Sequence, residues 1–268
     1  MKNYAGPADI MYHTGLSAGM IRGAKYVPGD PGRVEGLAKA LDENALFVAS
    51  HRDYTTWLAR VENAPVLVMS TGMGGPCVTF AVEELARLGV ETFIRVGTTG
   101  SIQEDLHLGD VVINTASVRM DGASRAYAPI EFPAAADMDT VLALREAAEE
   151  SGIPFKTGIS ISTDSFWPGQ ERYDSFGGYV LKRLQGSLDD FRHLGCTNYE
   201  MENATLFTLC AVLGLKAASI CGVVAKRTDS ESVAPHEVYE KAEQRFQDVV
   251  KRALKKMIAR SRSGGNIS

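Results

Sequence analysis

The chain has few cysteines and no apolar run long enough to span a membrane. Its four cysteines, Cys77, Cys196, Cys210 and Cys221, are widely separated and form no C-x-x-C pair. This spacing argues against a disulfide framework and against a structural zinc site, so buried thiols are the expected state. The longest apolar runs fall short of the ~20 residues that cross a bilayer, and no membrane partner is expected.

The chain also lacks an excess of positive charge. It has 28 Lys and Arg against 33 Asp and Glu, a formal net charge of -5. This charge opposes a general affinity for nucleic acid, so arginines that recur in loops are better interpreted as local anion sites. Residues 1–12 have neither a basic start nor an apolar block with a cleavage site. No secretory signal is visible, and a cytoplasmic location is expected.

What the sequence does contain is enough apolar material for a substantial core. Hydrophobic residues make up 45% of its 268 residues, and a single α/β unit with one large sheet often reaches this length. One domain is therefore predicted over residues 1–268. Residues 1–12 are expected to be an N-terminal extension, and the Ser/Gly-rich residues 260–268 a flexible tail.

An apolar run, a glycine-bearing loop and a helical pattern follow one another several times. This order is typical of a parallel or mixed sheet with helices on its faces. Strands are predicted at 26–27, 66–69, 93–96, 110–116, 157–161 and 217–224, and helices at 77–88, 138–150, 200–213 and 238–257. In the last helix, one face carries Ala242, Phe246, Val249, Val250 and Leu254. Ligands of such sheets bind beyond the carboxyl ends of the strands, so the loops there are candidate sites.

Three of these loops have features of an anion site. Residues 27–33 contain two prolines and two glycines and place Arg33 at the start of a helix, where backbone N–H groups can meet a phosphate. The alternative is an ordinary turn with a solvated arginine. Residues 71–76 lack both the GK[ST] ending and a third glycine, so they support neither ATP nor NAD binding. Arg95 interrupts an apolar strand, where a buried guanidinium requires a carboxylate neighbour or a phosphate.

The segment 166–173 suits a flat, polar ring. Gln170 can donate and accept, Arg172 can only donate, and Phe166 or Trp167 can cover a ring face. A pyrimidine dione meets all of these demands. The alternative is a surface turn around the Pro-Gly pair with solvated polar side chains.

Taken together, these segments resemble the nucleoside phosphorylase-I family from about residue 13 to residue 227. The segments that carry the resemblance are, in order, VPGDPGR, SHRDYTTW, STGMGGP, RVGTTG, ASVRMDGAS, PGQERYD and NYEMENAT. The resemblance implies a three-layer α/β/α fold with a central mixed sheet. It also implies a homohexamer, a trimer of dimers whose active sites are shared across the dimer interface, and reversible phosphorolysis of uridine to uracil and ribose 1-phosphate.

The resemblance also implies a role for individual residues. The phosphate clamp falls on Gly29, Arg33, Arg95 and Thr98, with Arg52 reaching in from a neighbouring subunit. The nucleoside site falls on His13 of the partner chain, Thr99, Gly100, Phe166, Gln170, Arg172, Met201 and Glu202, with Val224 and Ala225 lining the pocket and Arg227 supporting the base loop. Within this set Arg95, Arg172, Gln170 and Glu202 would carry catalysis. Inorganic phosphate is the implied co-substrate, and no cofactor is required.

The sequence departs from the family pattern at several positions. Some relatives hold a monovalent cation between subunits through an acidic residue, a backbone carbonyl and a serine hydroxyl, which fall here on Asp53, Met73 and Cys77. Sulfur is a poor ligand for potassium, so a cation site is not expected. Ala225 and Lys226 replace a Val-Asn pair beside the base, which reshapes the pocket.

Alternative activities stay open at this stage. The same scaffold serves nucleosidases, which use water and should lack a complete phosphate clamp, and phosphorylases with a thymidine or purine preference. A non-catalytic nucleobase-binding protein could also retain the fold, because fold alone does not establish chemistry. In bacterial-type purine phosphorylases an aspartate stands at the position of Ala225, which cannot protonate a ring nitrogen.

Overall fold

In the computed structural model, which describes residues 9–29, 33–230 and 232–264, ten strands form one mixed sheet. Their bounds are β1 Tyr26–Gly29, β2 Leu46–His51, β3 Tyr54–Val61, β4 Ala64–Met69, β5 Thr92–Ser101, β6 Val111–Met120, β7 Ala134–Ala135, β8 Phe155–Thr163, β9 Asn198–Glu200 and β10 Lys216–Lys226. The order is β10-β6-β8-β9-β5-β1-β4-β3-β2, with β7 added to β6.

Half of this sheet closes on itself. Strand β10 pairs in parallel with β5 and antiparallel with β6, so β5, β10, β6, β8 and β9 form a ring of pairings. The other strands extend from β5 as an open sheet that ends in the antiparallel β2 and β3. The closed half brings the ends of strands that are distant in sequence to one place.

Seven α-helices occur within the described residues. They are α1 Ala18–Ile21, α2 Val34–Leu41, α3 Gly75–Arg87, α4 Met138–Ser151, α5 Ser187–His193, α6 Asn203–Val212 and α7 His236–Gly264. Their ends follow local sequence signals. At the start of α4 the Asp137 carboxylate accepts a hydrogen bond from the Thr140 N–H at 2.9 Å, and the helix ends at Gly152 with φ 64°.

The helices cover both faces of the sheet. One apolar cluster joins α2, α4 and α7 to the sheet, and a second joins α1, α3 and α6 to the opposite face. On α7 the predicted face Ala242, Phe246, Val249, Val250 and Leu254 is fully buried. Each large side chain buried in this way contributes about 1.5–3 kcal/mol. Gly222 lets α7 approach β10 closely, because a Cβ there would lie 2.7 Å from that of Ala242.

The predicted α/β class with a mixed sheet and flanking helices is confirmed. The sequence did not predict strands β2, β3, β7 and β9, and two element limits differ clearly from its expectation. Residues 198–200 form a strand, so the helix predicted from residue 200 begins at Asn203. Helix α7 continues past its predicted end to Gly264, so residues 260–264 of the predicted tail are helical, while residues 265–268 and most of the 1–12 extension lie outside the described residues. No helix of the described chain combines the length and apolar character that a membrane crossing requires.

Candidate active site

A cavity of about 300 Å³ lies at the carboxyl ends of β5, β8, β9 and β10. Its walls are formed by Arg33, Met73, Arg95, Gly97, Thr98, Thr99, Gly100, Phe166, Gln170, Arg172, Tyr199, Glu200, Met201, Glu202, Val224, Ala225, Val233 and Tyr239. The sequence predicted most of these residues as binding residues. The ring of strands explains why they meet, since four strand ends open into one space.

Arg95 lies at one end of the cavity and has a carboxylate partner. Its Nε and Nη2 donate to Glu202 Oε2 at 3.0 and 2.6 Å, and its Nη1 donates to Cys221 Sγ at 2.9 Å. A Cβ at Gly97 would lie 2.5 Å from Arg95 Nη1, so only glycine leaves room for the guanidinium in this position. Burial, the largest single effect, would lower the pKa of Arg95, but the interactions with Glu202, Cys221 and Glu200 together outweigh it and raise the pKa. Arg95 is therefore a fixed positive charge at the cavity wall.

Glu202 is held by two elements at once. Its Oε2 accepts from Arg95, and its Oε1 accepts from the Gly74 N–H at 2.7 Å. Gly74 belongs to the glycine-bearing loop before α3, where φ is 86°. This loop therefore positions the Glu202 carboxylate.

Glu200 lies behind Glu202 and was missed as a site residue. Its Oε2 accepts from the backbone N–H groups of Glu202 and Asn203, both at 2.7 Å, which supplies a cap for α6. Its Oε1 accepts from the hydroxyls of Ser160, at 3.1 Å, and Ser162. Burial raises the pKa of Glu200, and Arg95 opposes that effect from 4.0 Å. The available sequence signal was an acidic side chain at the predicted start of a helix, two residues before Glu202.

The other end of the cavity carries an amide, a guanidinium and an aromatic ring. Gln170 and Arg172 are 3% and 1% exposed, and the Arg172 guanidinium lies 4.3 Å from the ring centroid of Phe166. Arg227 lies behind them and donates from Nη1 to the Gln170 carbonyl at 3.0 Å and from Nη2 to the Glu171 carbonyl at 3.3 Å. The burial of Gln170 and Arg172 rules out the alternative of a solvated surface turn at these two positions.

A bulge in β10 shapes the wall beside this end. The register between β10 and β5 shifts between Val223 and Ala225, so Val224 is the additional residue. Ala225 pairs with Gly100, and a Cβ at Gly100 would lie 3.7 Å from the Ala225 Cβ and 3.8 Å from Arg172 Nη2. The backbone of Gly100 therefore approaches the guanidinium closely.

Three of the other four predicted phosphate residues adjoin Arg95 or line the same cavity. Gly29 pairs with Arg95 in the β1–β5 register, and Arg33 and Thr98 line the cavity. Residues 30–32 of the predicted anion loop lie outside the described residues. Thr99 is buried against β9, where its hydroxyl donates to the Tyr199 carbonyl at 2.6 Å.

His13 and Arg52 lie together away from the cavity of their own chain. Arg52 Nη2 donates to the Tyr12 hydroxyl at 3.3 Å, and the His13 carbonyl lies 2.8 Å from His51 Nδ1. Glu84 fixes His13, since its Oε1 lies 2.7 Å from His13 Nδ1 and accepts from the His13 N–H at 2.9 Å. Burial would raise the pKa of Glu84, but these hydrogen bonds lower it below its usual value.

One residue of the candidate cation site, Cys77, is a poor ligand for potassium. A Cβ at Gly72 would lie 3.1 Å from Cys77 Sγ and 3.3 Å from the Asp53 Cβ, so both side chains surround this glycine. Burial, and then the Asp53 carboxylate, raise the pKa of the Cys77 thiol. A neutral thiol is a weak ligand for a hard monovalent cation.

Several cavity residues carried no functional signal in the sequence. Met73, Tyr199, Val233 and Tyr239 line the cavity although no interpretation assigned them to it. Burial raises the pKa of Tyr199 to about 12, so its phenol stays protonated at neutral pH. Val233 comes from the loop after β10. Tyr239 comes from α7, where its position in an ordinary helical pattern gave no sign of a binding role.

Comparison with known proteins shows which family the chain belongs to. The model of the Phosphorylase superfamily matches residues 26–255. Uridine phosphorylase of Escherichia coli strain K12 is 49% identical over 223 residues, which cover 82% of this chain and 88% of that protein. Uridine phosphorylase of Thermococcus kodakarensis is 43% identical over 83% of this chain and 79% of its own length. Guanosine phosphorylase of Halorubrum lacusprofundi is 36% identical over 79% of this chain and 81% of its own length.

Proposed function

The chain belongs to the phosphorylase superfamily, and from this membership we propose that it is a uridine phosphorylase. The reaction is the reversible phosphorolysis of uridine to uracil and ribose 1-phosphate, which makes the protein a pentosyltransferase. Uridine and inorganic phosphate are the substrates. The observation that carries the proposal is a single cavity with Arg33 and Arg95 at one end and Gln170 with Arg172 at the other.

The arginine end suits phosphate. Breaking an N-glycosidic bond generates positive charge on the sugar, which a dianion held under the anomeric carbon stabilises and then attacks. Arg33, Arg95 and Thr98, with the backbone of Gly29, would hold this dianion. A guanidinium has five N–H donors, and Arg95 uses three of them on Glu202 and Cys221. Up to two more are available for phosphate oxygens.

The ribose falls between the two ends. Glu202 Oε2 accepts twice from Arg95, whereas Oε1 accepts once from Gly74. Since a carboxylate oxygen accepts about two hydrogen bonds, Oε1 retains room for one sugar hydroxyl. Met201 lines the same part of the cavity. This arrangement supports Glu202 as the ribose acceptor.

The amide-guanidinium end suits the departing base. Gln170 and Arg172 would bond the carbonyl and imide edge of uracil, and Phe166 would cover the ring. Negative charge develops on the base as the bond breaks, and a fixed guanidinium stabilises that charge in a site sheltered from water. Cytidine presents a donor where uracil presents an acceptor, and a mismatch of this kind in a buried site costs several orders of magnitude in specificity.

The proposal includes a homohexamer built as a trimer of dimers. His13 and Arg52 are the residues that bear on this point, because they lie together at a surface apart from their own cavity. In the assembly they would enter the cavity of the neighbouring subunit, where His13 approaches the 5′ hydroxyl and Arg52 the phosphate. Dilution that separates the subunits should then abolish turnover.

A purine preference is less well supported. Ala225 lines the cavity at the position where bacterial-type purine phosphorylases carry an acid. Asp229 does not replace that acid, because it lies 3.4 Å from Lys226 Nζ in an exposed ion pair. The guanosine phosphorylase relative is also less similar than the uridine phosphorylases, at 36% against 49% and 43% identity.

One assay tests the proposed function. Uracil release from uridine is measured with and without phosphate, beside inosine, cytidine and thymidine. Phosphate-dependent release of uracil with little use of inosine or cytidine is expected. Release without phosphate would indicate a hydrolase, preferential use of inosine would indicate a purine enzyme, and no release would leave a binding protein.

A further inference from the structure

The side chain of Glu171, between Gln170 and Arg172, points away from the cavity wall that its neighbours form and is only 8% exposed. Its Oε2 accepts from the Leu188 N–H at 2.7 Å and from the Ser187 hydroxyl at 3.3 Å. Its Oε1 accepts from the Gly186 N–H and from the Tyr173 hydroxyl at 3.2 Å. One carboxylate therefore accepts from the residue that precedes α5 and from the first turn of that helix, and closes the loop between residues 172 and 186.

The backbone at Glu171 is unusual for this residue type. Its φ is 51°, in the left-handed region where the Cβ of a side chain crowds the backbone and glycine is favoured. Glu171 follows directly after the short 3-10 helix Pro168–Gln170. A glutamate at such a position is unfavourable unless its side chain compensates for the backbone, and the four donors to its carboxylate provide that compensation.

The same turn is held from its other side by Arg227. This guanidinium donates to the carbonyls of Gln170 and Glu171. The turn is thus fixed by a cation on its carbonyl oxygens and by an anion that anchors it to α5. With both in place, Gln170 and Arg172 are held toward the cavity while Glu171 is directed to the opposite side.

We propose that Glu171 is a positioning residue for nucleobase recognition, which acts by tying the turn that carries Gln170 and Arg172 to the start of α5. The proposal rests on the proposed function. The four donors to the Glu171 carboxylate come from residues 173 and 186–188, none of which lines the cavity, so its effect is expected at the base end through Gln170 and Arg172. Loss of the anchor displaces the donors that stabilise the departing base and leaves Arg95 and Thr98 in place.

The test compares Glu171→Gln, Glu171→Gly and the wild-type protein in phosphorolysis, with thermal unfolding as a check on folding. Glutamine keeps the shape of the glutamate side chain, but its amide N–H group would face the backbone N–H donors of Gly186 or Leu188. Glycine removes the carboxylate while suiting the left-handed backbone better. Both variants should lower kcat/KM for uridine about 100-fold, the cost of misplacing a group by about 1 Å, with KM for phosphate unchanged. An equal loss of kcat/KM for uridine and for phosphate, or full activity of Glu171→Gly, would overturn the proposal.

A second readout separates positioning from general damage. The fluorine of 5-fluorouridine stabilises negative charge on the departing base, so this substrate depends less on Gln170 and Arg172. The loss caused by Glu171→Gln should therefore be clearly smaller with 5-fluorouridine than with uridine. An identical loss with both substrates would show that the anchor does not act through the departing base.

Matched controls complete the experiment. Glu104→Gln makes the same chemical change at an exposed carboxylate that lies 3.4 Å from Arg192 on α5, and it should leave activity unchanged. If Glu171→Gln fails to fold, the double variant Tyr173→Phe with Ser187→Ala removes two of the four donors and should show a smaller loss of the same pattern. An inactive wild-type protein would refute the proposed function, whereas an active wild type with an unaffected Glu171→Gln refutes only the role of Glu171.

Discussion

The Glu202 carboxylate holds the Arg95 guanidinium side-on, with Oε2 2.6 Å from Nη2 and 3.0 Å from Nε. Both groups are largely buried, with side chains 13% and 7% exposed for Arg95 and Glu202. In this pair the residue proposed for phosphate binding and the residue proposed for ribose binding fix each other. Under these proposed roles, occupation of one substrate site would be linked to the geometry of the other.

This pair predicts a strong stability effect. Glu202→Gln removes the negative charge of the close partner. The buried Arg95 then faces the more distant Glu200, whose Oε2 lies 4.0 Å from Arg95 Nε. We expect the free energy of unfolding to fall by about 3 kcal/mol, since breaking a buried ion pair from one side costs roughly 3–5 kcal/mol. Urea unfolding measures the change. The double variant Arg95→Met with Glu202→Gln should be more stable than the sum of the single losses predicts, and strict additivity would contradict the coupling.

Loss of Arg172 should act on the chemical step. Arg172→Ala removes the donor that stabilises the departing base, which typically costs ~2.7 to 4 kcal/mol of barrier. We therefore expect phosphorolysis of uridine to slow by several hundredfold. Initial rates of uracil release at saturating phosphate measure the effect. Arg145→Ala, at an exposed helix position paired only with Glu149 at 3.2 Å, serves as the control. Near-normal turnover of the Arg172 variant would refute the assignment.

A single methyl group should disturb phosphate binding selectively. In Gly97→Ala the new Cβ would lie 2.5 Å from Arg95 Nη1 and 2.8 Å from its Cζ, so the guanidinium must move. We expect KM for phosphate to rise, while binding of uracil, which depends on the other end of the cavity, changes little. Steady-state kinetics and uracil titration separate the two effects.

The control for this substitution is Gly19→Ala in α1, where a Cβ would meet nothing within 4 Å. That variant should match the wild-type protein in both measurements. If Gly97→Ala bound phosphate normally, the guanidinium would not be confined as the structure indicates.

The Glu84 carboxylate should make stability depend on acid pH. Its pKa is lowered in the folded protein from the usual 4.5, because hydrogen bonds from His13 and Thr14 outweigh burial. As the pH falls, the unfolded chain takes up the proton first, so stability present above about pH 4.5 is lost as the pH passes through the folded pKa. The difference in unfolding free energy between wild-type protein and Glu84→Gln should therefore shrink below that pH.

Chemical unfolding between neutral and acid pH measures this difference. Glu91→Gln is a suitable control, since Glu91 is 64% exposed and pairs only with Lys25 on the surface. A constant gap between wild-type protein and Glu84→Gln across the acid range would show that the hydrogen bonds to Glu84 do not favour its charged form.

The sequence predicted element types better than element limits. The strands around Phe93–Val96 and Ala217–Val224 and the apolar face of α7 follow directly from periodicity, which depends only on neighbouring residues. The sequence predicts a helix from residue 200 and no strand at 198–200, because β9 lies only two residues before α6. A strand this short exists through its pairing with β5 and β8, which no local pattern reveals.

The chemistry of the candidate site was also visible in part. For Arg95 the sequence left open a carboxylate neighbour or a phosphate, and the structure supplies Glu202 as the neighbour while leaving the guanidinium at the cavity wall. The role of Glu200 as a cap for α6, and that of Glu171 as an anchor for the base turn, depend on where their carboxylates point. Side-chain direction at a strand end or a left-handed turn is decided by packing, so these roles were not predictable.

By itself the sequence determined the α/β class, the positions of six of the ten strands and four of the seven α-helices of the described residues, and which side chains carry charge, hydrogen-bonding capacity and aromatic surface. Only the tertiary structure decided that Arg95 and Arg172 line one cavity and that His13 and Arg52 lie outside it. The reason is physical. Element type follows from local propensity and apolar period, whereas the meeting of distant residues depends on strand register and on the closure of β5, β10, β6, β8 and β9 into a ring.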